Sequence, residues 1–347
     1  MTLEEFLEEW NNDSEQVMVH SSGSTGKPKP MWVEKRRMEA SARITCDFLG
    51  LKEGDTALLC MSLDYIAGKM MVVRSLVRNL KLIVVEPTGN PLANVAVSKI
   101  DFAAMVPMQV YNSLQVPQER ERLKQIKHLI IGGGAIDEAM ASELKVFPNY
   151  VWSTYGMTET LSHIALRRLN GPEASEWYKP FPSVEISQND DGCLVIDAPQ
   201  VCSERLVTND IVEISEAGFR IIGRKDNVIC SGGIKIQAEE VERILKPYVQ
   251  DPFLITKRKD QKFGEIVVMM VEDRGKATGR RAELGNERKE EREERESLKT
   301  RLQSLCREHL PKYWQPRDFV FVEKLPMTET GKPARKQAEE LATQNYS

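Results

Sequence analysis

The sequence predicts a large α/β domain with a mostly parallel sheet, covering helices and a small β subdomain, followed by a smaller α+β domain. From residue 17 onward, short apolar runs alternate with amphipathic segments, which indicates parallel strands covered by helices. After Arg224 the pattern changes to short strands and a highly charged helix. The length agrees with this division, because 347 residues are long for one compact core.

Five apolar runs have the length and composition of buried strands, and the amphipathic segments 38–49 and 66–80 are predicted helices. Residues 183–222 instead alternate short strands with turn sequences, Asp-Asp-Gly at 190–192 and Glu-Ala-Gly at 216–218. Such turns predict the small β subdomain. The five predicted strands are 57–61, 82–85, 103–106, 128–131 and 151–153.

The last third of the chain has the pattern of a separate domain. Residues 286–296 (NERKEEREERE) hold i,i+4 pairs of opposite charge and almost no apolar side chain, so they are predicted to begin a solvated helix. The polar run 223–227 precedes this part and is a candidate hinge. We therefore predict domains at residues 1–224 and 225–347. The other predicted elements are a strand at 234–236, a helix at 238–245, two strands around the turn at 258–264, and a strand at 319–322.

Charge and composition narrow the functional classes. A net charge of −4 gives no electrostatic reason to expect a nucleic acid or an anionic membrane as a partner. Residues 1–11 carry four Glu, unlike the basic start of a signal peptide, and no run is apolar enough to span a bilayer. The six cysteines form no C-x-x-C pair, which is typical of reduced thiols. We expect a cytoplasmic protein without a structural metal.

A loop of small residues at 19–29 (VHSSGSTGKPK) has the composition of a phosphate-gripping turn. Its backbone N–H groups can close on a phosphate, its hydroxyls can donate to the oxygens, and its lysine adds charge. It is not a Walker A loop, because Pro28 stands where Ser or Thr would bind Mg²⁺. A flexible Ser/Gly linker is the alternative interpretation. The predicted phosphate ligands are Ser21, Ser22, Gly23, Ser24, Thr25, Gly26 and Lys27.

A second motif, residues 153–159 (STYGMTE), directly follows an apolar strand. Thr154 and Thr158 offer hydroxyl donors for phosphate, Tyr155 offers an aromatic edge, and Glu159 offers an oxygen ligand for Mg²⁺. A turn with a helix N-cap at Thr158 is the alternative.

Two further motifs lie near the predicted hinge and near the end of the chain. Asp210 can accept both hydroxyls of a ribose, and the guanidinium of Arg224 can reach ribose or phosphate oxygens. Lys332 lies in a Gly/Thr turn flanked by prolines, which presents a lysine rather than packing it. Taken singly, Asp210 and Arg224 would each be a surface charge, and an exposed loop lysine is the better interpretation of Lys332.

In order along the chain, these stretches resemble the signature motifs of the adenylate-forming superfamily, which includes acyl-CoA synthetases and peptide-synthetase adenylation domains. The resemblance runs from about residue 17 to residue 335 and includes the elements YG-x-TE, GRKD and P-x-T-x-x-GK-x-x-R. It implies an enzyme that uses ATP and Mg²⁺ to activate a carboxylic acid as an acyl-AMP and then transfers the acyl group to a thiol, such as that of CoA. It also implies that the C-terminal domain is mobile.

The resemblance implies a role for each motif at the nucleotide. Thr158 and Glu159 would hold phosphate and Mg²⁺, and Asp210 and Arg224 would hold the ribose. Lys332 would stabilise charge between the carboxylate and the α-phosphate as pyrophosphate leaves. The residues implied to line the adenine and acyl side of the site are Gly132, Gly133, Gly134, Ser153, Thr154, Tyr155 and Gly156.

The resemblance also implies a second conformation for thioester formation. Asp226 corresponds to the hinge, about which the small domain rotates after adenylation. That rotation would remove Lys332 and bring the face of Gly232 and Gly233 to the site, where the thiol attacks. A separate arrangement for each step is reasonable, because a pentacoordinate phosphate and an attacked carbonyl need different charge arrangements.

The sequence departs from the superfamily pattern in two places. Only about twenty residues precede the phosphate loop, so we expect an N-terminal subdomain to be missing or greatly reduced. Either the acyl pocket is then more open, or a partner subunit completes it. Asp64 and Tyr65 stand where many relatives carry an aromatic residue followed by His at the wall of the acyl pocket.

The segment 65–75 looks most like that of o-succinylbenzoate-CoA ligases of menaquinone biosynthesis. In that interpretation Tyr65 and Gly133 line the acyl pocket, and Arg74 binds a second, non-reacting carboxylate of the substrate. The alternative is that Arg74 lies on the solvated face of an amphipathic helix.

Three other functions share these motifs. They are a different acyl- or aryl-CoA ligase, an adenylation enzyme that loads a separate carrier protein, and a non-catalytic adenylate-binding module. A dinucleotide oxidoreductase is excluded, because Gly132-Gly133-Gly134-Ala135 lacks the G-x-G-x-x-G spacing. The sequence leaves a homo-oligomer open.

Overall fold

The computed structural model describes residues 1–20, 30–95, 99–134, 136, 138–273, 287–328 and 333–344. The chain divides into two compact units. The first unit comprises Met1–Asn189, Leu194–Thr208 and Ile214–Arg220, and the second comprises Asp190–Cys193, Asn209–Glu213 and Ile221–Ser347. The single domain boundary after residue 224 stays a prediction.

The first unit begins with a helix and an antiparallel hairpin. Helix α1 (Leu3–Asn11) starts with a capping box, in which Thr2 Oγ1 accepts from the Glu5 N–H and the Glu5 carboxylate accepts from the Thr2 N–H. Strands β1 (Gln16–His20) and β2 (Pro30–Glu34) pair antiparallel and flank the predicted phosphate loop. Residues 21–29 of that loop lie outside the described residues.

Seven strands form the main sheet: β3 (Thr56–Leu59), β4 (Lys81–Val84), β5 (Ile100–Met105), β6 (Ile126–Ile131), β7 (Tyr150–Gly156), β8 (His163–Arg168) and β9 (Lys179–Pro180). Their order is β4-β3-β5-β6-β7-β8-β9. All pairs from β4 to β7 are parallel, and β8 and β9 continue the sheet antiparallel. The predicted mostly parallel sheet is therefore confirmed.

Helices cover both faces of this sheet. On one face, Leu58 and Cys60 lie in a hydrophobic core with side chains of three helices, α4, α5 and α6, whose bounds are given below. Neighbouring residues of a strand point to opposite faces of a sheet, so Ala57 and Leu59 are buried on the other face. On that face, α3 packs on β3 and on α2. The helices are α2 (Lys35–Leu49), α3 (Ile66–Arg78), α4 (Pro107–Gln115), α5 (Pro117–Gln125) and α6 (Glu138–Leu144).

Helix α3 ends two residues earlier than predicted. Asn79 adopts a left-handed conformation with φ 52°, and its N–H donates to the Ser75 carbonyl. Left-handed Asn is a common helix terminator, so it stops the helix although the apolar pattern continues to Leu80.

Four strands form a further sheet in the order β10 (Glu185–Gln188), β11 (Cys193–Asp197), β12 (Leu206–Ser215) and β13 (Gly218–Arg224). Strands β10 and β11 pair antiparallel around the predicted turn at 190–192. Gly192 has φ 78°, a conformation that glycine adopts without a steric penalty. The predicted small β subdomain is present.

The second unit contains a five-stranded sheet between helices. Its strands β14 (Val228–Ser231), β15 (Ile234–Gln237), β16 (Phe253–Asp260) and β17 (Gly264–Glu272) have the order β15-β14-β17-β16, and β18 (Asp318–Val322) pairs parallel to β17. Met269 packs with α7 (Ala238–Leu245) and α8 (Glu287–His309), whereas Met270 packs with α9 (Arg335–Gln344). None of the helices in the described ranges has the length and apolar character needed to cross a bilayer.

Candidate active site

Two of the predicted motifs meet at the carboxyl edge of the parallel sheet. Strand β6 ends at Ile131, directly before the glycine turn, which consists of Gly132, Gly133 and Gly134. Ile131 pairs in register with Ser153 of β7. Gly132 therefore lies beside Thr154, on neighbouring parallel strands. The carboxyl ends of such strands are where open α/β sheets bind their ligands.

Gly132 packs directly against the Thr154 side chain. A Cβ on Gly132 would stand 2.2 Å from Thr154 Oγ1, so only glycine allows this approach. The Gly132 N–H donates to the Met105 carbonyl at 3.1 Å, which fixes the turn to β5 as well. Gly133 follows with φ +80°. The turn thus presents bare backbone next to a hydroxyl, a surface on which a flat ring and a phosphate can both lie.

Two side chains of the second motif are held inside the protein. Ser153 Oγ and the Tyr178 hydroxyl are 2.8 Å apart. The Tyr155 side chain is buried, with its ring edge-on to Phe219 at 5.0 Å between centroids. These contacts fix the end of β7, and the predicted contacts of Ser153 and Tyr155 with a nucleotide stay predictions.

The second motif ends in a single 3₁₀ turn, Thr158–Thr160, whose side chains differ in exposure. Thr158 and Thr160 are buried, whereas Glu159 is exposed. Thr160 Oγ1 accepts from the Met157 N–H at 3.0 Å and lies 2.8 Å from the Ser162 carbonyl oxygen. The turn is therefore closed from inside by Thr160 and presents the Glu159 carboxylate to solvent, where it can bind a cation.

Arg74 is buried, with 2% of the residue exposed. The interpretation as a solvated helix face is therefore wrong. Its Nη2 donates to Ser162 Oγ at 2.6 Å, and its guanidinium lies over the Phe102 ring at 6.0 Å from the centroid. The structure shows no carboxylate partner for Arg74 among the described residues. Burial lowers the pKa of Arg74 to about 10, so the cation is still charged at neutral pH.

His163 completes a chain of hydrogen bonds behind Arg74. Its Nε2 lies 3.1 Å from Thr45 Oγ1 and its Nδ1 lies 3.2 Å from Ser162 Oγ. Thr45 Oγ1 donates to the Ser41 carbonyl, so it accepts from Nε2–H, and Nδ1 then accepts from Ser162. This assigns a neutral imidazole. Burial, with the nearby Arg74 cation, lowers the pKa of His163 well below its usual value, in agreement with the assignment.

The strand that leads into the predicted phosphate loop is held by an ion pair. Lys69, on α3, is buried and lies 3.1 Å from the Glu9 carboxylate on α1. Between them they bind one residue of β1: the Met18 N–H donates to Glu9 at 3.1 Å, and Lys69 donates to the Met18 carbonyl at 2.7 Å. We call this arrangement the Met18 clamp. It fixes β1 at Met18, two residues before His20, the last residue described before the loop.

The second unit brings three of the predicted residues together. Arg224 Nη1 lies 3.4 Å from Asp210 Oδ1, and Arg224 Nη2 lies 3.8 Å from Asp226 Oδ2. Asn209 donates to the same Asp226 oxygen at 3.4 Å. The predicted ribose ligands are therefore neighbours of the predicted hinge residue, and Arg224 is partly exposed.

Gly232 and Gly233 form the two-residue turn between β14 and β15. Both have positive φ, +58° and +83°, which a tight hairpin of this kind requires. The Gly232 N–H donates to the Phe263 carbonyl at 2.8 Å. The turn is thus well defined, and its role in the thiol step stays a prediction.

Two parts of the predicted site are not described. Residues 21–27 of the phosphate loop and Lys332 lie outside the described residues. Tyr65 is exposed at the start of α3. The sequence interpretation missed Thr160, Ser162 and Lys69. Only Thr160 and Ser162 carried a signal, since both are small hydroxyl residues within three positions of Glu159.

Comparisons with known proteins cover most of the chain. The AMP-binding enzyme family matches residues 4–199, and the AMP-binding enzyme C-terminal domain matches residues 247–332. The 2-succinylbenzoate–CoA ligase of Geobacillus sp. (strain WCH70) is 25% identical over 375 residues, covering 98% of this chain and 72% of that protein.

Two solved structures are also similar. An acyl-CoA synthetase (AMP-forming)/AMP-acid ligase II-like protein from Dyadobacter fermentans is 34% identical, with a TM-score of 0.64, and the match covers 96% of this chain and 91% of that one. The o-succinylbenzoate coenzyme A synthetase of Bacillus subtilis, in complex with ATP and magnesium ion, is 22% identical with a TM-score of 0.68, covering 92% and 69%. Because this second protein is only 22% identical, its similarity supports the fold alone.

Proposed function

Because the chain belongs to the AMP-binding enzyme family, we propose that it is an AMP-forming acid–thiol ligase that activates a carboxylic acid with ATP and transfers the acyl group to CoA. One observation carries this proposal: the glycine turn, Thr154 and the exposed Glu159 carboxylate lie at the carboxyl edge of one parallel sheet. That edge supplies backbone, hydroxyl and carboxylate groups for a nucleotide with its cation.

In the first step the carboxylate of the acid attacks the α-phosphate of ATP, the bond to the pyrophosphate breaks, and acyl-AMP forms. Glu159 would hold Mg²⁺, which neutralises phosphate charge. A single exposed carboxylate fits this ion, because Mg²⁺ in nucleotide sites takes one or two carboxylates and completes its shell with phosphate oxygens and water. Lys332 and the loop at residues 21–27 would stabilise the charge that develops during this displacement.

In the second step the CoA thiolate attacks the acyl carbonyl, and AMP leaves. Asp210 and Arg224 would hold the ribose, and Gly232 and Gly233 would line the approach of the thiol. The positive-φ turn supports this, because a turn without side chains leaves room for a ligand to pass close to the backbone. Asp226 would serve as the hinge between the two steps.

The substrate that the site supports best is o-succinylbenzoate, which would give o-succinylbenzoyl-CoA for menaquinone biosynthesis. Several curated relatives are 2-succinylbenzoate–CoA ligases. Arg74 supports an acid of this kind, because it is a buried cation that contacts Ser162, three residues after Glu159. A second carboxylate of the substrate would supply the opposite charge. Tyr65 and Gly133 would contact the aryl part.

We place the reaction in the cytoplasm. All six cysteines are free thiols, as expected in a reducing compartment where ATP and CoA are available. Association of the protein with itself stays a prediction, and sizing at several protein concentrations tests it.

The experiment that tests the proposed function is acid-dependent ATP–pyrophosphate exchange across o-succinylbenzoate, other aryl acids, fatty acids, short acids and amino acids. Each active acid is then tested for its CoA thioester. Exchange and thioester with o-succinylbenzoate alone support the full proposal. Exchange with another acid retains the chemistry and rejects the substrate. Exchange without a CoA thioester indicates a carrier protein as acceptor, and no exchange with any acid indicates a non-catalytic module.

A further inference from the structure

The segment that carries Lys332 is closed at its base by backbone contacts. Met327 and Pro333 form an antiparallel bridge. One residue further out on each side, the Ala334 N–H donates to the Pro326 carbonyl at 2.9 Å. Both ends of the segment are therefore fixed to each other, although residues 329–332 lie outside the described ones.

Arg335, the next residue, anchors this base to the body of the second unit. Its two terminal nitrogens donate to the two carboxylate oxygens of Glu242 on α7, each at 2.7 Å. Arg335 also donates to the Ile255 carbonyl at 2.6 Å, and Glu242 accepts from the Ile255 N–H at 2.7 Å. The pair thus joins α9, α7 and β16, with each side chain 21% exposed. Two parallel bonds to one carboxylate fix the guanidinium in orientation as well as in place.

Helix α7 also holds the predicted hinge. Gln237, directly before α7, donates to the Arg224 carbonyl at 2.9 Å. Glu239 accepts from Asn227 and from Gln237. Glu239 and Glu242 lie three residues apart, on the same face of the helix. The hinge residues and the base of the Lys332 segment are therefore attached to one rigid helix.

We propose that Glu242 and Arg335 are positioning residues for adenylation, which hold the segment bearing Lys332 at the place that the first half-reaction needs. This inference rests on the proposed function. Only two residues separate Lys332 from Arg335, so the chain lets their Cα atoms lie at most about 10 Å apart. A displacement of about 1 Å at a catalytic group can lower a rate by about a hundredfold. Lys332 acts in acyl-AMP formation, so loss of the anchor slows that half-reaction selectively.

The test compares Glu242→Gln and Arg335→Lys with a matched control, Asp318→Asn. Glutamine retains an oxygen for the Ile255 N–H and loses the ion pair, whereas lysine retains the charge and loses the two parallel bonds. Asp318 pairs with the buried Arg258 at 2.6 Å in the same unit. Three quantities are measured for each protein: ATP–pyrophosphate exchange, thioester formation from synthetic acyl-AMP, and amide hydrogen exchange of peptides covering residues 326–335.

Both anchor variants are expected to lower kcat for ATP–pyrophosphate exchange about 10- to 100-fold with little change in KM for ATP. Thioester formation from acyl-AMP should stay within about twofold, and hydrogen exchange at 326–335 should become faster. Asp318→Asn should leave the ratio of the two half-reactions and this hydrogen exchange unchanged. Equal loss of both half-reactions, or the same split in Asp318→Asn, overturns the inference.

The hydrogen-exchange measurement separates this inference from the proposed function. An inactive wild-type enzyme rejects the proposed function, whereas unchanged hydrogen exchange at 326–335 in Glu242→Gln rejects the positioning role whatever the activity.

Discussion

The guanidinium of Arg74 lies 2.6 Å from the hydroxyl oxygen of Ser162, and that hydroxyl is the nearest oxygen partner of the cation among the described residues. Ser162 in turn donates to a neutral His163, which brings no negative charge. The cation is therefore solvated by hydroxyl, sulfur and aromatic groups and is not paired with a carboxylate there. Stability and the proposed binding of a substrate carboxylate place opposite demands on this residue.

Arg74→Met should separate these demands. The substitution removes a buried, uncompensated charge, so the free energy of unfolding should stay equal or rise by about 1–3 kcal/mol. Loss of the charge-assisted contact, roughly 1.5–3 kcal/mol, should raise KM for a dicarboxylic acid about 10- to 100-fold. Urea unfolding and exchange kinetics measure the two effects. Arg78→Met is the matched control, since Arg78 lies in the same helix and pairs with Asp47. An unchanged KM in Arg74→Met removes Arg74 from the acid site.

Lys332→Ala should abolish acyl-AMP formation and largely spare thioester formation from synthetic acyl-AMP. In the proposed mechanism the lysine charge stabilises the displacement of pyrophosphate, and a lost electrostatic contact of this kind costs about 10²- to 10³-fold in kcat. Lys324→Ala, which removes an exposed lysine of the same unit, is the control. Equal loss of both steps would contradict the assignment of Lys332 to one of them.

Gly132→Ala should lower both stability and ATP binding. Its Cβ would stand 2.2 Å from Thr154 Oγ1, and the branched threonine has little freedom to move away, so a cost of about 1–3 kcal/mol is expected. The double variant Gly132→Ala/Thr154→Ala should recover most of the stability, because it removes the clashing atom, while its KM for ATP should stay high. A double variant as unstable as the single one would show that the contact with Thr154 is not the cause.

Gly156→Ala should be more damaging. Here the added Cβ would stand 2.2 Å from the Ser162 carbonyl oxygen and 2.5 Å from the His163 Cα, which are backbone atoms of the paired strand region. Backbone in a sheet cannot rotate away, so we expect a loss of more than about 3 kcal/mol. Gly89→Ala is the comparison, because its Cβ would meet only the flexible end of the Asn112 side chain at 2.9 Å. Similar unfolding free energies for the two variants would contradict this explanation.

Stability should fall below neutral pH partly through His128. Burial, with the positive charges of Lys127 and Arg168, lowers the pKa of His128 to about 4. The unfolded chain therefore binds a proton near pH 6.5 that the folded protein does not bind, and the stability present above pH 6.5 is lost as the pH falls toward 4. From pH 7.5 to pH 5 this amounts to about 2 kcal/mol.

His128→Phe, which retains a ring for the stack on Tyr150, should remove this part of the pH dependence. The difference in urea-unfolding free energy between pH 7.5 and pH 5 should be about 2 kcal/mol smaller in the variant than in the wild type. Identical pH dependence in both proteins would show that folding does not lower the pKa of His128.

Most of the fold follows from local patterns. The helix predicted at 238–245 is Ala238–Leu245, and the strand predicted at 319–322 is Asp318–Val322. The spacing of apolar residues predicts these elements, because each strand buries one face and each helix buries one row of side chains. Strand ends were less accurate: the strand predicted at 151–153 extends over Tyr150–Gly156, since Gly and Thr continue pairing with β8. Pairing is a property of the neighbouring strand, which the local pattern does not contain.

Local sequence patterns did not predict that two charged residues of α3 are buried. Lys69 and Arg74 fit the polar face of an amphipathic helix, yet both are buried. The partner of Lys69 is Glu9, 60 residues away, and that of Arg74 is Ser162, 88 residues away. A charged side chain is buried only where a partner distant in sequence satisfies it. Tertiary contacts therefore determine whether Lys69 and Arg74 are buried or exposed. The motifs located Gly132 and Glu159, because their chemistry depends on residue type at the end of a strand.

The Met18 clamp also affects how molecules of this protein meet one another. Strands β1 and β2 form a two-stranded sheet, and such a ribbon has outer edges with backbone groups able to pair with a strand from another chain. At Met18 both backbone groups are already bound by Glu9 and Lys69. A foreign strand would have to displace a buried ion pair to extend the ribbon there. The clamp therefore protects this edge of the ribbon against pairing with another chain.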